Sequence, residues 1–85
     1  MPATWADIER FLGSPDWTPS EKWVIKWQFG LLDEDFARPL AECIKRADDT
    51  NLSKLGCGFP VEVKGFREWS RGDLGQRLRD AGLGI

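Results

Sequence analysis

The sequence predicts an all-α domain, a compact irregular array of five or six short helices spanning residues 1–85 as one unit. Three observations carry this. Apolar residues recur at steps of three and four along most of the chain, the spacing that lines one face of a helix. Thr, Asp or Pro opens the periodic segments and Gly closes several of them, which is helical punctuation. Asn-Gly hairpin turns are missing, and the one strand-like stretch, VEVKGF at 61–66, is too isolated to build a sheet.

The first helix starts at Thr4, with Asp7 three residues on in a capping-box pattern. Trp5, Ile8, Phe11 and Leu12 form its stripe and Gly13 stops it. SPDWTP is a loop whose Thr18 caps the next helix, with Pro19 at the first position and Glu21 completing a second box. This second helix runs roughly from 19 to 31 and has two apolar stripes. Trp23, Val24, Trp27 and Leu31 make one; Ile25, Phe29 and Leu32 make the other, with Lys22 and Lys26 in the gap. A helix apolar on two sides is either the centre of its domain or waits for a partner.

Asp33, Glu34 and Asp35 favour a helix start through the dipole. Phe36, Leu40, Cys43, Ile44 and Ala47 then share a face, opposite Arg38, Glu42, Lys45 and Arg46. The Arg38, Glu42, Arg46 spacing sets up i,i+4 ion pairs. Pro39 requires the helix to begin within a turn of it. ADDTN, 47–51, breaks and caps, and a short helix with Leu52 and Leu55 ends at Gly56. Pro60 opens a helix reaching about Arg71. Gly72-Asp73 breaks and caps again, and Leu74, Leu78 and Ala81 form the last stripe. Gly82-Leu83 reads as a Schellman stop.

Composition narrows the function. With 41% apolar and 31% charged residues, the 85-residue chain is neither a disordered tail nor a membrane protein, and no apolar run approaches the ~20 residues of a spanning helix. The N-terminus lacks the basic and apolar regions of a secretory signal, so the expected location is cytoplasmic. Net charge is −2, but residues 1–42 hold eight acids against four bases, whereas 43–85 hold six acids against eight bases. Cys43 is expected to be a reduced core residue and Cys57 to lie in a loop between two glycines.

Histidine is absent, as are Cys-x-x-Cys pairs, an acidic calcium loop and a phosphate-cradling Gly-rich loop. No metal and no cofactor is therefore expected. The acidic clusters 33–35 and 48–49 sit at helix starts and read as caps. Cys57 has no recognisable activating base. The chain is expected not to be an enzyme.

Two surfaces remain as binding candidates. Lys64, Arg67 and Arg71 share one side of their helix, with Arg77 and Arg79 following in the chain. The plainest reading is a solvated face, with Glu68 pairing Lys64 or the comb folding back on residues 33–35. An acidic protein patch comes next, and nucleic acid last, because its affinity needs many cationic contacts. The last two helices only weakly resemble a helix-turn-helix. The other surface is the strip of Trp23, Trp27 and Leu31, with Trp17 in its Pro-flanked loop. It is either core or an aromatic interface, for which five tryptophans in so short a chain give ample material.

Residues 29–74 carry a further pattern: an acidic turn, then Phe36, Leu40 and Ile44, then Ala47-Asp48, Asn51, Leu52 and Leu55, then Gly58-Phe59-Pro60 with Glu62-Val63. In these features the segment resembles a group of small uncharacterised proteins of phages and other mobile elements. Pro39 departs from that pattern. The resemblance implies a small acidic protein that acts by binding a host protein or protein complex, in the manner of anti-defence proteins such as anti-CRISPR proteins, and it transfers no active residue. The expected function is a non-catalytic protein-binding module, with a homodimer as a further option. The alternative is a small nucleic-acid-binding or regulatory protein using the basic C-terminal helices.

Overall fold

The computed structural model describes residues 3–85, in which six helices follow one another: α1 Trp5–Gly13, α2 Pro19–Gln28, α3 Ala37–Arg46, α4 Asp49–Gly58, α5 Pro60–Ser70 and α6 Leu74–Asp80. No strand occurs among the described residues, and 61–66 lies inside α5. None of the helices is long and apolar enough to cross a membrane.

Local chemistry sets the boundaries. Both capping boxes form: Asp7 N–H donates to Thr4 Oγ1 at 3.2 Å and Thr4 N–H to Asp7 Oδ2 at 3.1 Å, and Thr18 and Glu21 repeat the exchange at 3.2 and 2.7 Å. Asp48 caps α4 by accepting from Asn51 N–H at 2.8 Å. Pro39 falls in the first turn of α3, where its missing N–H leaves no helical bond unmade.

Three ends differ from the sequence reading. The second helix stops at Gln28 because Gly30, at φ +69°, closes a Schellman turn in which Leu31 N–H donates to Lys26 O. Leu31 therefore lies beyond the helix. The fourth helix runs through Gly56 to Gly58, with Phe59 N–H reaching back to Leu55 O at 2.7 Å. At α6, Asp73 holds the N-cap position without capping, since its carboxylate is turned to Arg77. The Schellman stop at Gly82-Leu83 forms as read, and Leu83 buries beside Leu78.

The interior divides into two small cores. Ile8, Phe11, Val24, Ile25, Leu74, Leu78 and Leu83 gather α1, α2 and α6. Leu40, Ile44, Leu52 and Val63 gather α3, α4 and α5. Trp23 packs against both. Two residues assigned to buried faces lie outside: Phe36 is 59% exposed and the Cys43 thiol is exposed rather than core. The buried arc of α3 is Leu40, Ala41 and Ile44, rotated away from them. Trp5, one turn before Ile8, is also exposed.

The two cores are joined where α2 crosses α5, the most extensive helix contact. A Cβ added at Gly65 would stand 2.5 Å from Ser20 O and 3.0 Å from Val24 Cγ2, so the helices meet backbone to side with no room for a methyl group. This close approach makes α5, which touches α2, α3, α4 and α6, the centre of the array. The doubly apolar α2 is not that centre. Its Val24 and Ile25 are buried, whereas Trp23 and Trp27 are half-buried.

Gly65→Ala should therefore destabilise the chain by about 1–3 kcal/mol, the usual cost of overpacking. Gly13→Ala, with nothing within 4 Å of its added Cβ, should be neutral or stabilising. Denaturant midpoints of the two variants check this. An unchanged midpoint for Gly65→Ala would mean that the crossing is looser than described.

Candidate functional site

The α4–α5 hairpin turns on Phe59, which ends one helix and precedes the other. Its two arms leave a shallow groove of about 470 Å³ lined by Ser53, Gly56, Pro60, Val63, Lys64 and Arg67. Gly56 leaves the floor low, beside Val63, whose Cγ1 a Cβ there would meet in ordinary contact at 3.5 Å. Lys64 and Arg67 stand on the α5 rim, and neither has a carboxylate within ion-pair distance among the described residues. Glu68 does not pair with Lys64. It faces Arg77 instead.

The structure divides the five cations singled out in the sequence. Lys64 and Arg67 line the groove. Arg71, one turn further along α5, is tied to Asp49 at the start of α4. The Arg71 hydrogen bond and charge, with Arg67 nearby, hold the Asp49 carboxyl below its usual range. The comb thus folds onto Asp49 and not onto residues 33–35. Asp33 there accepts Phe36 N–H at 2.8 Å as a turn cap, and Glu34 pairs with Arg38 at 3.2 Å. Arg38 consequently leaves Glu42 to Arg46, at 3.8 Å. Arg79 stands apart on α6 and donates to the Gln76 side chain at 3.4 Å.

Arg77 belongs to the frame. Its Nη1 donates to Glu21 Oε2 at 2.6 Å and its Nε to Asp73 Oδ1 at 3.0 Å, while Nη2 lies 3.9 Å from Glu68 Oε2. One guanidinium therefore links α2, α5 and the start of α6. Glu21 is 5% exposed, and its other oxygen accepts Thr18 N–H. Burial pushes the Glu21 carboxyl up, but the Thr18 backbone N–H, Arg77 and the Thr18 hydroxyl together outweigh it and hold the group below its ordinary value. Glu21 hydrogen bonding in turn raises Arg77. Glu68 Oε2 is buried and makes no hydrogen bond. Sequence reasoning assigned Glu21 only to a cap, because nothing in the chain signals a partner 56 residues away.

The aromatic candidates are mostly structural. Trp17 is half-buried and stacks on Phe11 at 5.5 Å, closing the first core. Trp23 and Trp27 pack at 5.6 Å, and Trp27 meets Phe66 of α5 at 6.0 Å, so this pair seals the α2–α5 seam with one edge in water. Leu31, past the Schellman turn, is 38% exposed and does not continue their strip.

Both cysteines are free and exposed. Cys57 lies in the last turn of α4, not in a loop, and its thiol points to Ser53 O at 3.5 Å. Among the described residues no cluster of three or more carboxylates or thiols is arranged to hold a metal ion.

Because the folded Glu21 carboxyl titrates below its unfolded value, its pairing stabilises the fold above about pH 4.3 and is lost as pH falls through the folded value. Arg77→Met should cost about 2 kcal/mol at neutral pH, a buried-pair cost discounted because the Arg77 side chain is 41% exposed. It should also flatten the acid limb of the stability curve, while Arg79→Met leaves both unchanged. Chemical denaturation across acid pH checks this, and equal behaviour of the two variants would contradict the assignment. Comparisons with family models, with curated proteins and with solved structures give no match for this chain.

Proposed function

We propose that this chain is a non-catalytic protein-binding module that presents the α4–α5 groove to an acidic surface of its partner. The observation that carries the reading is the pair Lys64 and Arg67. Neither is tied up in an ion pair among the described residues, and both stand on the rim of a groove whose floor is Gly56, Pro60 and Val63. Cations beside a shallow apolar floor suit a protein partner, whose binding combines apolar anchoring with charge complementarity.

The division of the other three cations weighs against the nucleic-acid reading. Arg71 and Arg77 are held by carboxylates and Arg79 stands away from the groove, so the basic residues form no continuous track. Sequence-independent affinity for phosphates rises with the number of them neutralised, and two cations neutralise few. The likeness to mobile-element proteins supports a host protein complex as the partner, with an anti-defence role as its setting.

Immobilised chain should retain a stoichiometric protein from lysate of its host, and the double variant Lys64→Glu/Arg67→Glu should lose it while keeping its circular dichroism. Each charge reversal should weaken binding about tenfold, as expected where a rim cation meets a complementary charge. Retention of DNA or RNA with steep salt sensitivity, and of no protein, would instead favour the alternative.

A further inference from the structure

Helix α3 has a wider apolar arc than the fold covers. Phe36, Leu40, Cys43 and Ala47 recur at steps of four, three and four, the seam spacing of two helices packed side by side. Only Leu40 of these is buried. Phe36 is 59% exposed with its ring against Phe59 at 5.8 Å, Cys43 is exposed and Ala47 is half-exposed. At the far end of the seam an apolar depression of about 450 Å³ opens between α3 and α4, lined by Cys43, Arg46, Ala47, Asn51, Lys54 and Leu55.

Charge along the element is polarised. Asp33, Glu34 and Asp35 precede its N-terminus, and Asp35 makes no ion pair among the described residues. Lys45 and Arg46 end it and Lys54 stands beside the depression. Neither Lys45 nor Lys54 has a carboxylate partner among the described residues, and Arg46 reaches Glu42 only at 3.8 Å. Asp48 and Asp49 follow, but the α4 N-terminus and Arg71 hold their charge, so the segment is acidic at one end, carries free cations at the other and is apolar along one flank, a pattern complementary to itself reversed.

We infer that this face is the interface of a symmetric dimer, in which α3 of one copy packs antiparallel on α3 of a second. Phe36 of each copy enters the Cys43–Ala47–Leu55 depression of the other, and Asp35 meets Lys54 and Arg46 across the two-fold axis. Residues 36 and 47 are about 16 Å apart along the helix at 1.5 Å per residue, so one axis between positions 41 and 42 serves both contacts. The arrangement is isologous, so it closes at two copies and leaves neither depression empty. It uses the α3–α4 flank, whose lining residues are not those of the α4–α5 groove, and goes beyond the reading of that groove.

Sedimentation velocity from micromolar to millimolar protein tests the inference, and the dimer should weaken as salt is added. Phe36→Ser should raise the dissociation constant about thirtyfold or more, the loss expected for an aromatic anchor. Its exposed position predicts an unchanged circular dichroism spectrum. Lys54→Glu should weaken the dimer and Asp35→Lys in the same chain should restore it. Alkylation of Cys43 should slow as protein concentration rises while that of Cys57 does not. A monomer at millimolar concentration overturns the inference, as does a dimer indifferent to Phe36→Ser. Failure of the charge swap to restore association overturns the antiparallel pairing.

Discussion

The architecture rests on the contact of Gly65 with Ser20. Each core is too small to stand as a domain: one has seven buried apolar residues and the other four. Below about 40 residues a single core rarely suffices without extra restraints. The α2–α5 crossing fuses the two, and fusion requires the helices to approach more closely than two side chains allow. Ser20, in the first turn of α2, and Gly65, in the middle of α5, supply that clearance, and Trp23 then fills the wedge on one side of the crossing by packing on both cores. A glycine in mid-helix costs about 1 kcal/mol in propensity. The burial of Val24 and Val63 that the approach permits, at about 1.5–3 kcal/mol for a fully buried side chain, offsets it.

The Glu21–Arg77 pair closes the other side of that assembly and ties electrostatics to topology. Glu21 is committed first by sequence, as the N3 residue of a capping box, and this local role aims its second oxygen outward from the first turn of α2. Arg77, carried on the shortest helix, reaches it and binds Asp73 from the same guanidinium. A seven-residue helix is marginal alone. Its position follows from Leu74 and Leu78 below and this ion pair above. The pair is thus one reason why a basic residue of the C-terminal segment does not act as surface charge.

Much of this fold was legible because its boundaries are written in local chemistry. Thr4-Asp7, Thr18-Glu21, Asp48, Pro60 and Gly82-Leu83 act within a few residues, and all operate as their spacing implies. Errors arose where a residue's role is set from afar. Periodicity placed Phe36 and Cys43 on the apolar face of α3, which is correct as a pattern, but which part of a wide arc is covered depends on where α5 lies. Gly56 reads as a stop although no αL turn follows it, whereas Gly30, a real stop at φ +69°, is hidden inside an unbroken apolar pattern. The candidate site fared similarly. Helical spacing put Lys64, Arg67 and Arg71 on one side of α5, but only the tertiary fold separates those that Asp49 neutralises from those left free.

The charge asymmetry between the chain's halves becomes an asymmetry in space. Residues 37–71, which build α3, α4 and α5, hold seven bases and five acids. Four of those acids are occupied: Glu42 by Arg46, Asp48 by the α4 N-terminus, Asp49 by Arg71, and Glu68 turned toward Arg77. Lys45, Lys54, Lys64 and Arg67 have no carboxylate partner among the described residues, so α3, α4 and α5 carry four unpaired cations within a chain of net −2. The compensating acids lie outside this span: Asp33, Glu34 and Asp35 precede α3, and the α1–α2–α6 unit with its loops holds Asp7, Glu9, Asp16, Glu21, Asp73 and Asp80 against five bases. The free cations Lys45, Lys54, Lys64 and Arg67 thus lie on α3, α4 and α5, and they favour approach of an anionic surface from that side. On the proposed reading, both binding faces draw on these helices, while the α1–α2–α6 core serves as the frame behind them.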